Sequence, residues 1–244
     1  MNSESDNGLY PMFCKLAANN DNIFKSFKSN KIYNSIVEDV CYESGIKYID
    51  YFKNNPLIIN NIEKFSINDV LGNSEKFNYN IGSFSPTTLQ YIKILSDLTS
   101  YDLNNLNIVE IGPGYGGQYA VLRQLFKPKK YTFIDLTPVL KLIKKYITNL
   151  NLDDIELEYL NHFNLTDSMS YDFVISNFSL SECDRELQDL YINNIIKNSR
   201  HGYILYNNLR GYNHLEFSNI ILEKNISICE EKPQNSENTV LITW

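Results

Sequence analysis

The chain has 244 residues, 43% of them hydrophobic, which suits one α/β domain with a sizeable extra segment and a substantial core. Its formal charge of −7 argues against a protein that grips long nucleic acid, since that grip comes mainly from phosphate contacts. No apolar run approaches the roughly 20 residues of a membrane span, and the polar start Met1–Gly8 lacks the charged-then-apolar shape of a signal peptide, so a cytoplasmic protein is expected. Cys14, Cys41, Cys183 and Cys229 are scattered without a CxxC pair, which suggests neither a zinc ribbon nor a redox dithiol. The abundance of Asn, Ile, Lys and Tyr is read as compositional bias, not as a functional signal.

Residues 1–8 read as a frayed tail. From Met12 to about Leu98 the pattern is mainly helical, with Ile32, Ile36 and Val40 at helical spacing. Asn54-Asn55-Pro56 breaks that run, and Ile58–Phe65 predicts a further short helix. Asp69–Pro86, with Gly72, Gly82 and several Asn and Ser, reads as an irregular loop. Ser85 then caps a new helix with Pro86 in its first turn. After about Tyr101 strands and helices alternate. Strands are predicted at Ile108–Ile111, Tyr131–Ile134, Ile155–Leu160, Tyr171–Ser176 and Tyr203–Asn207. Helices follow at Gln118–Phe126, Val139–Thr148, Arg185–Lys197 and near His214–Glu223. Ile226–Cys229 and Thr239–Thr243, linked by a Pro-Gln-Asn-Ser turn, leave no room for a crossover helix and must pair antiparallel. The expected fold is therefore α/β: a Rossmann-like, mostly parallel sheet with an antiparallel last strand and a helical N-terminal segment. The division expected is 1–100 as a helical lid or acceptor segment and 101–244 as a cofactor-binding domain.

The most informative segment is Asn107-Ile-Val-Glu-Ile-Gly-Pro-Gly-Tyr-Gly-Gly-Gln118. Gly112, Gly114 and Gly117 satisfy GxGxxG between a strand and a helix, where glycine lets the backbone turn tightly and approach a ligand. Glu110, two residues before Gly112, favours S-adenosylmethionine (SAM) over NAD. An acid there can face an ammonium but would oppose a pyrophosphate. The cofactor set read from the loop is Glu110, Gly112, Gly114, Tyr115 and Gly116. Asp135 and Leu136 close the second strand, where an acid can hold two ribose hydroxyls; capping of the next helix is the alternative role for Asp135. Asn161 and His162 follow the third strand at the adenine edge, and Asn177 closes the fourth.

These residues resemble the sugar O-methyltransferase family. Val109-Glu-Ile-Gly-Pro-Gly-Tyr-Gly-Gly-Gln118 is similar to its first motif, which more often has Gly where this chain has Pro113. Tyr131-Thr-Phe-Ile-Asp-Leu-Thr-Pro-Val-Leu140 is similar to its second. Val174-Ile-Ser-Asn-Phe-Ser-Leu-Ser-Glu182 and Arg185-Glu-Leu-Gln-Asp-Leu-Tyr191 resemble the motif after its fourth strand, and Gly202-Tyr-Ile-Leu-Tyr-Asn207 its fifth strand. Asn68-Asp-Val-Leu-Gly-Asn73 and Ser85-Pro-Thr-Thr-Leu-Gln-Tyr91 fit its N-terminal part, so the resemblance runs from about Gly45 to Trp244. It implies SAM-dependent methyl transfer to a hydroxyl of a sugar, as a nucleotide sugar or a glycan, with S-adenosylhomocysteine (SAH) as product.

A sugar hydroxyl is a poor nucleophile, so a base or a metal should help. The candidates over the ends of strands four and five include Ser176, Ser181, Asp184, Arg185, Tyr206, Asn207, Asn208 and Arg210. Glu182 is the first choice for the base, although Ser181-Glu-Cys-Asp184 also matches a helix-capping signal. His214 is the second choice. Asp135, Glu182, Asp184 and His214 would suit magnesium, but no local spacing marks such a site and none is predicted. The alternatives kept are methylation of another small hydroxylated metabolite, a non-catalytic SAM-binding domain and an NAD-dependent oxidoreductase. The oligomeric state, a homo-oligomer included, stays open.

Overall fold

A computed structural model describes residues 8–165, 169–234 and 238–244; the expected tail up to Asn7, and Asn235 and Ser236 of the expected final turn, lie outside them. The N-terminal segment forms α1 (Leu9–Asn19), α2 (Asp21–Phe24), α3 (Lys31–Val37), α4 (Tyr42–Phe52) and α5 (Pro56–Ile59), then a 3-10 helix over Ile62–Asp69. Asparagine does local work here. Asn20, Asn30 and Asn55 accept backbone N–H bonds at the starts of α2, α3 and α5, satisfying donors that a helix leaves orphaned. The expected loop Asp69–Pro86 holds a hairpin, β1 (Phe77–Tyr79) with β2 (Gly82–Phe84), paired Phe77 to Phe84 and Tyr79 to Gly82. Strands of three residues are too short to show alternation in sequence. Helix α6 (Pro86–Leu98) begins as expected, with the Ser85 hydroxyl accepting from Thr88 N–H at 3.2 Å.

The second half follows the alternating pattern: β3 (Asn107–Ile111), α7 (Gly117–Leu122), β4 (Lys130–Ile134), α8 (Thr137–Asn149), β5 (Glu156–Leu160) and β6 (Phe173–Asn177). Then come α9 (Arg185–Tyr191), which runs into a π turn at Ile192–Ile196, β7 (His201–Tyr206), α10 (His214–Ile220), β8 (Ser227–Glu230) and β9 (Val240–Thr243). The sheet order is β5-β4-β3-β6-β7-β9-β8. β5, β4, β3, β6 and β7 are parallel, and β9 runs antiparallel to both β7 and β8.

Side chains on β3 alternate between two cores, as the pleat dictates. Ile108 joins one cluster with Phe133, Leu142 and the N-terminal aromatics Phe13, Phe27, Tyr48 and Phe52. Val109 and Ile111 join the other with Leu187, Tyr191 and Phe217. Helix α1 packs on α8 and α4 on α6, so the N-terminal helices share a core with the sheet. Each fully buried Phe or Leu side chain contributes about 1.5–3 kcal/mol. Strand order reverses between β3 and β6. In an open α/β sheet that reversal leaves a crevice beyond the strand ends, and the cavity described below sits there.

Candidate active site

β3 delivers Ile111 to the start of the loop, where the backbone turns through Gly112 at φ 67° and Gly114 at φ 59°. Both angles are left-handed and suit glycine. A Cβ on Gly112 would lie 1.8 Å from Ser179 Oγ, so the loop passes β6's exit with no room for a side chain. Beside it lies a cavity of about 300 Å³. One wall comes from the strand ends: Glu110, Gly112, Gly114, Asp135, His162 and Asn177, with Leu136 between them.

Glu110 is only 2% exposed and accepts a hydrogen bond from the Tyr131 hydroxyl at 2.7 Å. Burial pushes its carboxyl up to about 7, against the opposing pull of that hydrogen bond. Asp135 follows β4, and its Oδ1 accepts from Leu136 N–H at 2.7 Å. Leu136, not Asp135, occupies the N-cap position of α8, and no side chain caps that helix. His162 is buried in a 3-10 turn after β5. Asn177 ends β6; both polar atoms of its amide are buried without a hydrogen-bond partner, although they belong to a residue lining the cavity. A buried amide in that condition is costly unless a ligand completes it. The next residue, Phe178, holds φ 69°, a strained value for a bulky side chain and of the kind found at functional sites.

The opposite wall was not legible in the sequence. Tyr10 of α1, Val37 of α3, Asp39 beyond it and Tyr91 of α6 all line the cavity, with Leu187 and Tyr191 of α9. Their signal was ordinary helical periodicity, which places residues in a core and says nothing about a ligand. Glu182 lines the cavity from the short turn Ser179–Glu182. The cap of α9 is Asp184, which accepts from Leu187 N–H at 2.9 Å, while the Ser181 hydroxyl donates to Asn207 Oδ1 at 2.6 Å. Ser181 therefore does not cap the helix, and Glu182 precedes its first turn.

Four expected site residues do not reach the cavity wall. Tyr115 points into the core: its hydroxyl accepts from Asn68 Nδ2 at 2.9 Å, and the Lys28 ammonium lies 4.1 Å from its ring centre. Gly116 caps α7 against Ile143 and Ile147. Asn161 accepts from Phe163 N–H at 2.9 Å and donates to Thr137 at 3.1 Å, a turn-forming role. His214 opens α10, with Nδ1 3.0 Å from Asn208 Oδ1. Arg185, another acceptor-side candidate, is paired with Glu216 at 3.2 Å and lies over the Tyr212 ring. Tyr206 is buried and donates to Tyr212 O at 2.6 Å. Among the described residues no three His, Cys, Asp or Glu side chains gather as a metal site, so Asp135, Glu182, Asp184 and His214 are not brought together as one. Nor, among them, is any helix long and apolar enough to cross a membrane.

SAM carries a sulfonium, an ammonium, a carboxylate, a ribose and an adenine. The cavity fits that set. Glu110 and Asp135 bring carboxylates that could face an ammonium and ribose hydroxyls, the glycine loop admits close backbone approach, and the amide of Asn177 lacks partners.

No family model and no curated protein matches the chain. Solved structures do. Magnesium protoporphyrin IX methyltransferase (ChlM) from Synechocystis PCC 6803, with bound SAM, aligns at 11% identity and TM-score 0.50, over 83% of this chain and 97% of that one. A SAM-dependent methyltransferase from Aquifex aeolicus aligns at 14% identity and TM-score 0.46, over 63% of this chain and 87% of that one. An O-methyltransferase family protein from Burkholderia thailandensis aligns at 13% identity and TM-score 0.42, over 56% of this chain and 49% of that one, so the match spans about half its length. With its strand order, antiparallel ending and this likeness, the chain has the fold of the class I SAM-dependent methyltransferases.

Proposed function

We propose that the chain is a SAM-dependent O-methyltransferase acting on a hydroxyl of a sugar. One observation carries the methyltransferase part: the glycine loop, Glu110, Asp135 and the partnerless amide of Asn177 share one cavity with Glu182. Bound SAM supplies an already activated methyl group, so positioning does much of the remaining work. In this reading Glu110 takes the ammonium, Asp135 the ribose and Asn177 the methionine end or the acceptor. Glu182 accepts the hydroxyl proton as the new bond forms. His214 stays outside the reaction.

The sugar rests on the resemblance of the motifs, and Tyr10, Tyr91 and Tyr191 in the wall are compatible with sugar rings. Residues 1–100, packed into the same core as the sheet, then supply the acceptor wall, and 101–244 the cofactor side. A cytoplasmic setting agrees with four cysteines that form no disulfide. The test is SAH release across a panel of sugars with Glu182→Gln. A fall in kcat of about 10² or more, with SAM affinity retained, supports the role. Unchanged kcat would remove Glu182 from the chemistry.

A further inference from the structure

The loop Gly112-Pro-Gly-Tyr-Gly-Gly117 carries a single polar side chain, that of Tyr115. Gly112, Pro113 and Gly114 line the cavity, whereas the Tyr115 ring is buried on the core side against Phe27, Tyr91 and Tyr146. A glycine-rich stretch loses much backbone freedom on folding and has few side chains to hold it in place. Its backbone ties are local: Gly112 N–H donates to Ile134 O at 3.0 Å and Gly116 N–H to Pro113 O at 2.9 Å. Tyr115 is therefore the side-chain tether of the loop. Its hydroxyl accepts from Asn68 Nδ2 at 2.9 Å, and the same nitrogen donates to Thr88 Oγ1 of α6 at 2.8 Å. Asn68 Oδ1 accepts from the Tyr146 hydroxyl of α8 at 3.0 Å, and the Asn68 carbonyl accepts from Tyr146 and from the Lys28 ammonium. Asn68 is fully buried, and both ends of its amide are used.

Resting on the methyltransferase reading above, we propose that Asn68 is a positioning residue of the cofactor site: through the Tyr115 hydroxyl it holds the glycine loop in the shape that receives SAM. Asn68 lies outside the cavity wall and acts only through its partners. Those partners are well placed. Tyr115 belongs to the loop that follows Glu110, and Tyr146 to the helix that follows Asp135, so one amide grips both elements next to the two cavity acids. The grip comes from the far side of the chain in sequence, which links the N-terminal segment to cofactor binding without a contact to the cofactor. Asp69 anchors the same segment separately, its carboxylate accepting from Ser74 at 2.9 Å, Ser85 at 2.6 Å and Thr88 at 2.8 Å. The two neighbours thus divide the work: Asp69 holds the segment to α6 and the Ser74 turn, and Asn68 passes that fixed point on to the loop.

The test is calorimetric titration with SAH of the full chain and its variants, each checked by circular dichroism and thermal unfolding. Tyr115→Phe keeps the ring and removes only the hydroxyl; it should weaken SAH about three- to tenfold. Asn68→Ala should weaken SAH at least as much, and the double variant should bind within about twofold of Asn68→Ala alone, because both changes break the same bond. Ser74→Ala loosens the segment through Asp69 without touching Asn68. It should lower the unfolding midpoint and leave SAH affinity within about twofold of the parent. A purely structural Asn68 would not separate affinity from stability in this way. Unchanged SAH affinity in folded Tyr115→Phe overturns the proposal, whether or not Asn68→Ala folds. So do single losses that multiply in the double variant, or a loss in Ser74→Ala as large as that in Tyr115→Phe. Failure of the parent to bind SAH at all would instead sink the methyltransferase reading.

Discussion

The Tyr131 hydroxyl on β4 donates to Glu110 Oε2 on the neighbouring strand β3 at 2.7 Å, inside a layer where both residues are buried. The bond favours the carboxylate and burial favours the acid; burial wins, leaving Glu110 near 7. If the ammonium of SAM needs an ionised Glu110, affinity should rise with pH through about 7 and fall towards tenfold per unit below it. Calorimetry in buffers of different ionisation enthalpy should show proton release on binding. Glu110→Gln should weaken SAM by roughly 10- to 100-fold and flatten the profile. Tyr131→Phe removes the bond that favours the carboxylate and should move the profile upward.

The same group has a consequence for the ligand-free protein. Its folded value lies above the ordinary Glu value of 4.5, so between the two the folded state holds more protons than the unfolded state. The contribution of Glu110 to stability is therefore fully present below about 4.5 and lost as pH rises through about 7. Denaturant titrations from pH 5 to 8 should show that fall, and Glu110→Gln should remove its share of it.

Gly112→Ala tests the loop. The substitution places a methyl group against Ser179 at a backbone angle of φ 67° that side chains disfavour. A loss of about 1–3 kcal/mol in stability and more than about tenfold in SAM affinity is expected. Adding Ser179→Gly relieves the contact but not the backbone angle, so recovery should be partial.

Lys28 is fully buried, with its ammonium over the ring of Tyr115 in the glycine loop. Its charge also acts on buried Glu38, whose carboxyl burial pushes up and Lys28 pulls back down. Lys28→Met should cost about 1–3 kcal/mol, because the buried Lys28–Asn68 bond is lost and buried Glu38 loses a favourable charge. Lys28→Met with Glu38→Gln should recover part of that loss in thermal unfolding. Additive losses would mean that the two residues are not coupled.

The strand-end wall of the cavity was legible because its pattern is local. A strand, an acid, three glycines and a second acid at the next strand end mark Glu110, Gly112, Gly114 and Asp135, and all four line the cavity. The opposite wall was not, because Tyr10, Asp39 and Tyr91 reach the cavity only through packing between distant segments. Tyr115 does not line the cavity, for a related reason. Its place in the motif is local, but its side chain direction is set by Asn68 and Lys28 far upstream. His214 looked suitable by its position after β7, yet α10 turns it to Asn208. The lid expectation changes in the same way. Phe13, Phe27, Tyr48 and Phe52 belong to the core that also holds Ile108 and Phe133, so deleting residues 1–85 should unfold the chain instead of merely opening the cleft. Circular dichroism of the truncated chain decides that.

The most direct measurement is a calorimetric titration of the full chain with SAM, SAH and NAD, alongside Asp135→Ala. Saturable binding of SAM and SAH, none of NAD, and a loss of roughly 10- to 100-fold in the folded variant is the predicted result. A folded parent that binds NAD but not SAM, or SAM binding indifferent to Asp135, would contradict the assignment of this cavity.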